Sequence, residues 1–218
     1  MRPDNFETVR NVRALTPPVR KREHPLPDRR VRQWEVSRPR EGDVAMSGPG
    51  HTPLVIVVMG VSGCGKSTVG RVLAERLGWV FQEGDDLHPA ANVAKMRAGV
   101  PLTDEDRWPW LDRVSAWIEG RLAAGESGVV ACSALKRAYR ERLARPGSVV
   151  FVYLVVDRHT LEERLAGRRG HYMPAALLAS QLETLEEPGT DKGVIRVDAK
   201  GPADAVAGAV LEGLATLG

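Results

Sequence analysis

The sequence predicts an α/β fold, a single parallel sheet of five strands with helices on both faces. Three observations predict it. The run Leu54-Val55-Ile56-Val57-Val58-Met59 is short, β-branched and wholly apolar, as a parallel strand buried on both faces requires. Four further apolar runs, Trp79–Phe81, Val129–Cys132, Val149–Val156 and Val194–Val197, alternate with segments of helical periodicity, the pattern of βαβ units. Between the first run and its helix stands Gly60-Val61-Ser62-Gly63-Cys64-Gly65-Lys66-Ser67-Thr68, spaced G-x-x-x-x-G-K-[ST].

Each element follows from its residues. After Ser67, the positions Val69, Val72, Leu73, Arg76 and Leu77 recur at helical spacing, and Gly78 supplies a stop. Trp110 to Leu122 puts Leu111, Val114, Trp117, Ile118 and Leu122 on one face, with Pro109 expected in the first turn. Shorter helices are expected over about Lys136 to Ala144 and Thr160 to Arg168, the latter with Leu161 and Leu165 inward. The last helix, from Pro202, offers Ala205, Val206, Ala209, Val210 and Leu214 as its buried stripe.

The glycine-rich segment binds anions for physical reasons. Glycines at 60, 63 and 65 let backbone N–H groups turn inward around a phosphate, and the following helix adds the positive end of its dipole. Lys66 is placed to reach β- and γ-phosphates, and the Ser67 hydroxyl to hold Mg²⁺. With strand and helix on either side, the segment reads as the NTP-binding phosphate loop of a P-loop NTPase fold.

Composition excludes several classes. In 218 residues, 43% hydrophobic, no run approaches the 18 apolar residues of a membrane span, and no apolar segment near the N-terminus marks a signal peptide. Two cysteines, Cys64 and Cys132, are too few for a disulfide framework and fit a reducing cytoplasmic setting. Residues 1–50 are rich in proline and arginine without any period, and are expected to form a disordered basic extension ahead of a folded domain over 51–218. Residues 1–45 hold 11 basic and 7 acidic side chains, leaving 20 and 21 for the rest, so the net charge of +3 belongs to the extension. Such an arm suits an anionic surface, yet it lacks aromatic interleaving beyond Trp34, and Met46 reads as an alternative start. Neither a nucleic-acid nor a membrane partner is expected.

In a parallel sheet ligands gather at the carboxyl ends of the strands. There the sequence places Glu83-Gly84-Asp85-Asp86, then His88, Asn92, Lys95, Met96, Asp104, Asp106 and Arg107, and Cys132-Ser133-Ala134-Leu135-Lys136-Arg137. Carboxylates, amides and cations facing a phosphate loop suit a small polyhydroxylated anion better than a flat apolar ligand. Asp86 and Asp104 have the simpler alternative role of capping helices.

The stretches MGVSGCGKST (59–68), GDDLHPAANVAKMRAGVPLTDEDRWPWL (84–111), CSALKRAYRERL (132–143), RLAGRRGHYMP (164–174) and SQLETLEEPG (180–189) resemble the gluconokinases, small P-loop kinases similar to shikimate and nucleoside monophosphate kinases. The resemblance covers nearly all of 54–198, leaves 1–50 outside, and puts Glu83 where Asp is the more frequent residue. It implies a nucleoside-monophosphate-kinase-like fold with a helical substrate region over about 87–124 and a lid over about 164–174. It also implies a cytoplasmic homodimer that phosphorylates the 6-hydroxyl of D-gluconate with ATP and Mg²⁺. Lys66 is then expected to act on the phosphates, Ser67 with Glu83 or Asp85 on the metal, and Asp85 to accept the proton of the attacking hydroxyl or to orient it. Arg164 and Arg168, four residues apart on one helix, resemble lid arginines that close over the nucleotide. Substrate contacts are expected from Asp85, His88, Asn92, Lys95, Arg107, Lys136 and His171. The nearest alternative is another small-molecule kinase, acting on shikimate or a nucleoside monophosphate.

Overall fold

The computed structural model describes residues 52–166, 175–189 and 193–217. The extension over 1–50 and the lid residues Arg168 and His171 lie outside the described residues. The five expected strands are present as β1 (Val55–Met59), β2 (Val80–Glu83), β3 (Gly128–Ala131), β4 (Val149–Val155) and β5 (Val194–Asp198). All pair in parallel, in the order β2-β3-β1-β4-β5.

The central strand explains the layering. Every residue of β1 is fully buried, and alternate side chains serve opposite faces. Ile56 and Val58 pack with Val69 and Leu73 of α1 (Lys66–Leu77) and with Val206 and Val210 of α7 (Ala203–Leu217). Val55, Val57 and Met59 pack with Leu111, Val114 and Ile118 of α3 (Asp104–Ala123) and with Tyr139 and Leu143 of α4 (Arg137–Ala144). Among the described residues no helix is long and apolar enough to cross a membrane.

Several boundaries differ from expectation. Strand β2 starts after Trp79 and runs on through Glu83, so Glu83 is its last residue rather than part of the turn beyond it. Pro109 lies inside α3 instead of in its first turn, because the helix starts earlier, at a capping box. Thr103 Oγ1 accepts the Asp106 N–H at 3.3 Å, and Asp106 Oδ2 accepts the Thr103 N–H at 3.0 Å. With the first turn so satisfied, the helix tolerates the one backbone bond that Pro109 cannot make. On α7 the buried stripe is Val206, Ala207, Val210 and Leu214, while Ala205 and Ala209 are exposed. In an alanine-rich helix the small side chains mark neither face, so the pattern misassigns the alanines and keeps the larger residues. The sequence reading also leaves out α6 (Ala175–Thr184); α2 (Ala90–Arg97) falls in the expected helical substrate region, and α5 (Arg158–Ala166) begins where Asp157 accepts the Thr160 N–H at 2.9 Å.

Beyond β2 the chain turns through a short 3₁₀ segment, Gly84–Leu87, held against the neighbouring strand. A Cβ at Gly84 would lie 2.1 Å from the Ala131 carbonyl oxygen, so only glycine permits this approach. The expected consequence of Gly84→Ala is a loss of about 3 kcal/mol, the upper end for overpacking, read as a fall in Tm of roughly 10 °C. Gly120→Ala, in α3 with nothing within 4 Å of its Cβ, is the control and keeps or raises Tm. Equal melting of the two variants would show that the turn is free to leave the strand.

Candidate active site

The phosphate loop joins β1 to α1. Gly60, Gly63 and Gly65 have φ of 136°, 87° and 104°, left-handed conformations that glycine adopts without strain. Lys66 Nζ donates to the Val61 carbonyl at 3.1 Å, folded over its own loop. Cys64 and Cys132 are buried free thiols, and burial pushes the Cys132 thiol up to about 12. A Cβ at Gly60 would lie 2.9 Å from Cys64 Sγ, so this thiol packs directly beneath the loop as a small filler.

Two cavities meet at this loop. On one side Lys66, Asp85, His88, Arg107, Trp110 and Ser133 line a cleft with Ser62 and the apolar Met96 and Leu102. On the other, Gly63, Cys64, Gly65 and Thr68 line a second cavity with Arg164, Ala199 and Gly201. Arg164 is on that second side, where it donates to the carbonyls of Cys64 (3.4 Å), Ala199 (2.8 Å) and Lys200 (3.2 Å). Three carbonyls hold its guanidinium behind the loop, away from the cleft that contains Asp85.

Glu83 and Asp85 stand at the end of β2. Burial raises the Glu83 pKa, and the charge of Asp85 raises it further, against a hydrogen bond with the Ser67 hydroxyl and the pull of Lys66. Two carboxylates and a hydroxyl, all hard oxygen donors, crowd together at some electrostatic cost, a set that fits Mg²⁺. Among the described residues there is no cluster of three His, Cys, Asp or Glu side chains of the kind that holds a metal by protein ligands alone.

His88 is clamped in the cleft wall. It stacks on Trp110 with ring centroids 4.2 Å apart, and Trp110 Nε1 in turn donates to the Gly84 carbonyl at 2.8 Å. Asn92, buried, donates from Nδ2 to the Asp106 carbonyl at 2.7 Å and faces His88 Nδ1 at 3.4 Å. An amide nitrogen only donates, so Nδ1 is the accepting nitrogen and Nε2 carries the proton, 4.0 Å from Asp85. Burial lowers the His88 pKa to about 4, outweighing Asp85, with Arg107 adding to the shift.

The other cations of the cleft region are already engaged. Lys136 donates to both oxygens of Asp104 at 2.6 and 2.9 Å, and Tyr139 donates to the same carboxylate. Those bonds hold Asp104 below the usual carboxylate range. Lys95 holds both oxygens of Asp106 at 2.6 and 2.8 Å. Arg107 Nη1 donates to Tyr139 Oη at 3.2 Å and lies 3.5 Å from Asp104. Of the residues expected to meet substrate, the structure therefore brings Asp85, His88 and Arg107 to the cleft beside Lys66, and sets Asn92, Lys95 and Lys136 one step behind them. Sequence reasoning misses Tyr139 and Gln181. The first looks like a core aromatic, and the second was visible only as part of the SQLETLEEPG stretch.

His88 gives a pH test. It stays neutral in the folded protein down to about pH 4, whereas in the unfolded chain it takes a proton near 6.5. The unfolded state thus binds more protons in that window, so the stability contributed by neutral His88 is complete above pH 6.5 and declines as pH falls towards 4. The Tm advantage of wild type over His88→Gln is expected to shrink between pH 7 and 4.5. A constant difference across that range would mean that His88 becomes protonated in place.

A family model described as an AAA domain matches residues 55–188, which contain both the phosphate loop and the cleft. The gluconokinase of Gluconobacter oxydans is 53% identical over 158 residues, covering 72% of this chain and 89% of that protein. The crystal structure of a gluconokinase from Sinorhizobium meliloti superposes with a TM-score of 0.68 at 50% identity, over 76% of this chain and 94% of the other. Shikimate kinase from Aquifex aeolicus, 18% identical with a TM-score of 0.50 over 75% and 97% of the two chains, shares the fold alone. With that identity over most of a relative's length, and with the phosphate loop opening on a polar acceptor cleft, the chain belongs to the gluconokinase family of P-loop kinases.

Proposed function

We propose that this protein transfers the γ-phosphoryl group of ATP to the 6-hydroxyl of D-gluconate, giving 6-phosphogluconate and ADP. The observation that carries the reading is the single cleft in which the phosphate-loop Lys66 shares a wall with Asp85, His88 and Arg107, while a separate cavity behind the loop suits the rest of the nucleotide. The names of the relatives supply the acceptor. Arg107 offers a cation to the gluconate carboxylate, and Tyr139 with Asp104 fixes that cation's position. Neutral His88 offers Nε2–H to a hydroxyl without repelling the cation beside it. Asn92, Lys95 and Lys136 act on substrate through the groups they hold, and His171 is assigned to the acceptor from the lid.

Phosphoryl transfer needs alignment and charge neutralisation more than covalent chemistry. The acceptor oxygen forms a bond to the γ-phosphorus, the bond to the bridging oxygen of ADP breaks, and the acceptor proton leaves late. Asp85 orients the hydroxyl and takes that proton. Lys66 exchanges the Val61 carbonyl for the phosphates, and the loop amides hold the same charge. Ser67, Glu83 and Asp85 would hold Mg²⁺, which would supply positive charge against the charge that develops on the phosphates. Arg164 serves the nucleotide cavity, joined by Arg168 from the lid. The assignment includes a cytoplasmic homodimer in which residues 51–218 form the kinase domain and residues 1–45 are dispensable.

Coupled measurement of ADP release is expected to rank gluconate above shikimate and AMP at equal concentration; faster turnover of either competitor refutes the assignment. Asp85→Asn is expected to lower turnover by about 10² to 10⁴, the range for a positioned acid-base group, with nucleotide affinity kept because the loop is intact. Turnover within about threefold of wild type, well under that range, would remove Asp85 from the mechanism. Lys66→Ala is expected to lose at least as much while melting like wild type, since β1 and not Lys66 carries the fold.

A further inference from the structure

The geometry points to Gln181 of α6 as an acceptor-contacting residue that ties the bound polyhydroxy acid to the phosphate loop. Gln181 Oε1 accepts the Ser62 N–H at 2.6 Å, a contact between residues 119 apart in the chain. A backbone N–H can only donate, so the atom facing it is the carbonyl oxygen and the amide orientation is fixed. The other end of the carboxamide, Nε2, has no partner among the described residues. It is therefore a donor held in register at the wall of the cleft, which Gln181 lines together with Lys66, Asp85, His88 and Arg107.

The position of Ser62 says which ligand the donor serves. Gly63, Cys64 and Gly65 face the nucleotide cavity, whereas Ser62 faces the acceptor cleft. Its N–H thus stands on the acceptor side of the loop, where Gln181 can occupy it without taking an amide from the nucleotide side. A neutral carboxamide suits a polyhydroxylated acid, because it donates to a hydroxyl or carboxylate oxygen without a charge to be neutralised. Arg107 and His88 line the same cleft, so Gln181 adds a contact from a different element and limits how the acid lies against Asp85. One bridge, Ser62 N–H to Oε1 and Nε2–H to the acceptor, couples acceptor position to the loop that holds the transferring phosphate. This role rests on the gluconate reading above.

The test is steady-state kinetics in both substrates, with Tm, for wild type, Gln181→Met and Gln181→Glu. Met is similar in length and can neither donate nor accept; Glu keeps an oxygen for the Ser62 N–H and has no donor. Both are expected to raise the gluconate KM about tenfold, the loss of one hydrogen bond, with the ATP KM changed by less than about twofold and Tm close to wild type. A Glu variant with the wild-type gluconate KM would show that Gln181 only braces the loop, and the inference fails. Equal rises in the KM of ATP and gluconate also overturn it. The wild-type control separates the two levels: no turnover of gluconate by wild type sinks the functional reading, whereas wild-type turnover with unaltered variants sinks this inference alone.

Discussion

The structure depends on one constraint, the complete burial of β1 between parallel neighbours. A five-residue strand with both faces covered and both edges paired has one place to send its chain, the carboxyl edge of the sheet. The phosphate loop emerges there, and so do the turns after β2 and β3. The turn after β3 is tied to the phosphate loop by a hydrogen bond from the Gly60 N–H to the Ser133 carbonyl at 3.2 Å. It is also held from below: Arg140, largely buried, donates to the carbonyls of Ala134 and Leu135 at 3.2 and 3.0 Å, and Ala134 is kept at φ 44°, a left-handed conformation uncommon for a residue with a Cβ. A backbone hydrogen bond and the Arg140 guanidinium together fix the turn after β3 against the phosphate loop.

Charge in the cleft is arranged in two tiers. The first turn of α3 carries Asp104, Glu105 and Asp106, where the helix dipole favours anions. Two of these acids take Lys136 and Lys95, lysines that otherwise look free for substrate. Arg107, 3.5 Å from Asp104 and beside an uncharged His88, lines the cleft together with Lys66.

Elements with strong patterns were legible from residues alone. Strand β1, the loop glycines, α1 with its Gly78 stop and the large residues of α7 all follow from apolar period and turn chemistry, and the strand ends located Asp85, His88 and Arg107. What stayed hidden depended on geometry across the chain. The T-x-x-D capping box that starts α3 was outweighed by Pro109, a local signal with a familiar position. The alanines of α7 carried no directional information. The division between groups that face the cleft and groups that hold them, as with Lys136 behind Asp104, is set by side-chain pairing that spacing does not encode. The Gln181 contact joins residues 119 apart in the chain, and no local pattern announces it.

The packing of Cys64 under Gly60 has an experimental use. A thiol buried beneath the phosphate loop is out of reach of an alkylating reagent for as long as the loop keeps its shape. Its labelling rate therefore works as a clock for spontaneous opening of the loop, and occupancy by a nucleotide slows that clock in proportion to how firmly it clamps the glycines. Cys132, the other thiol, is equally buried just beyond β3 and serves as a second, independent hand of the same clock.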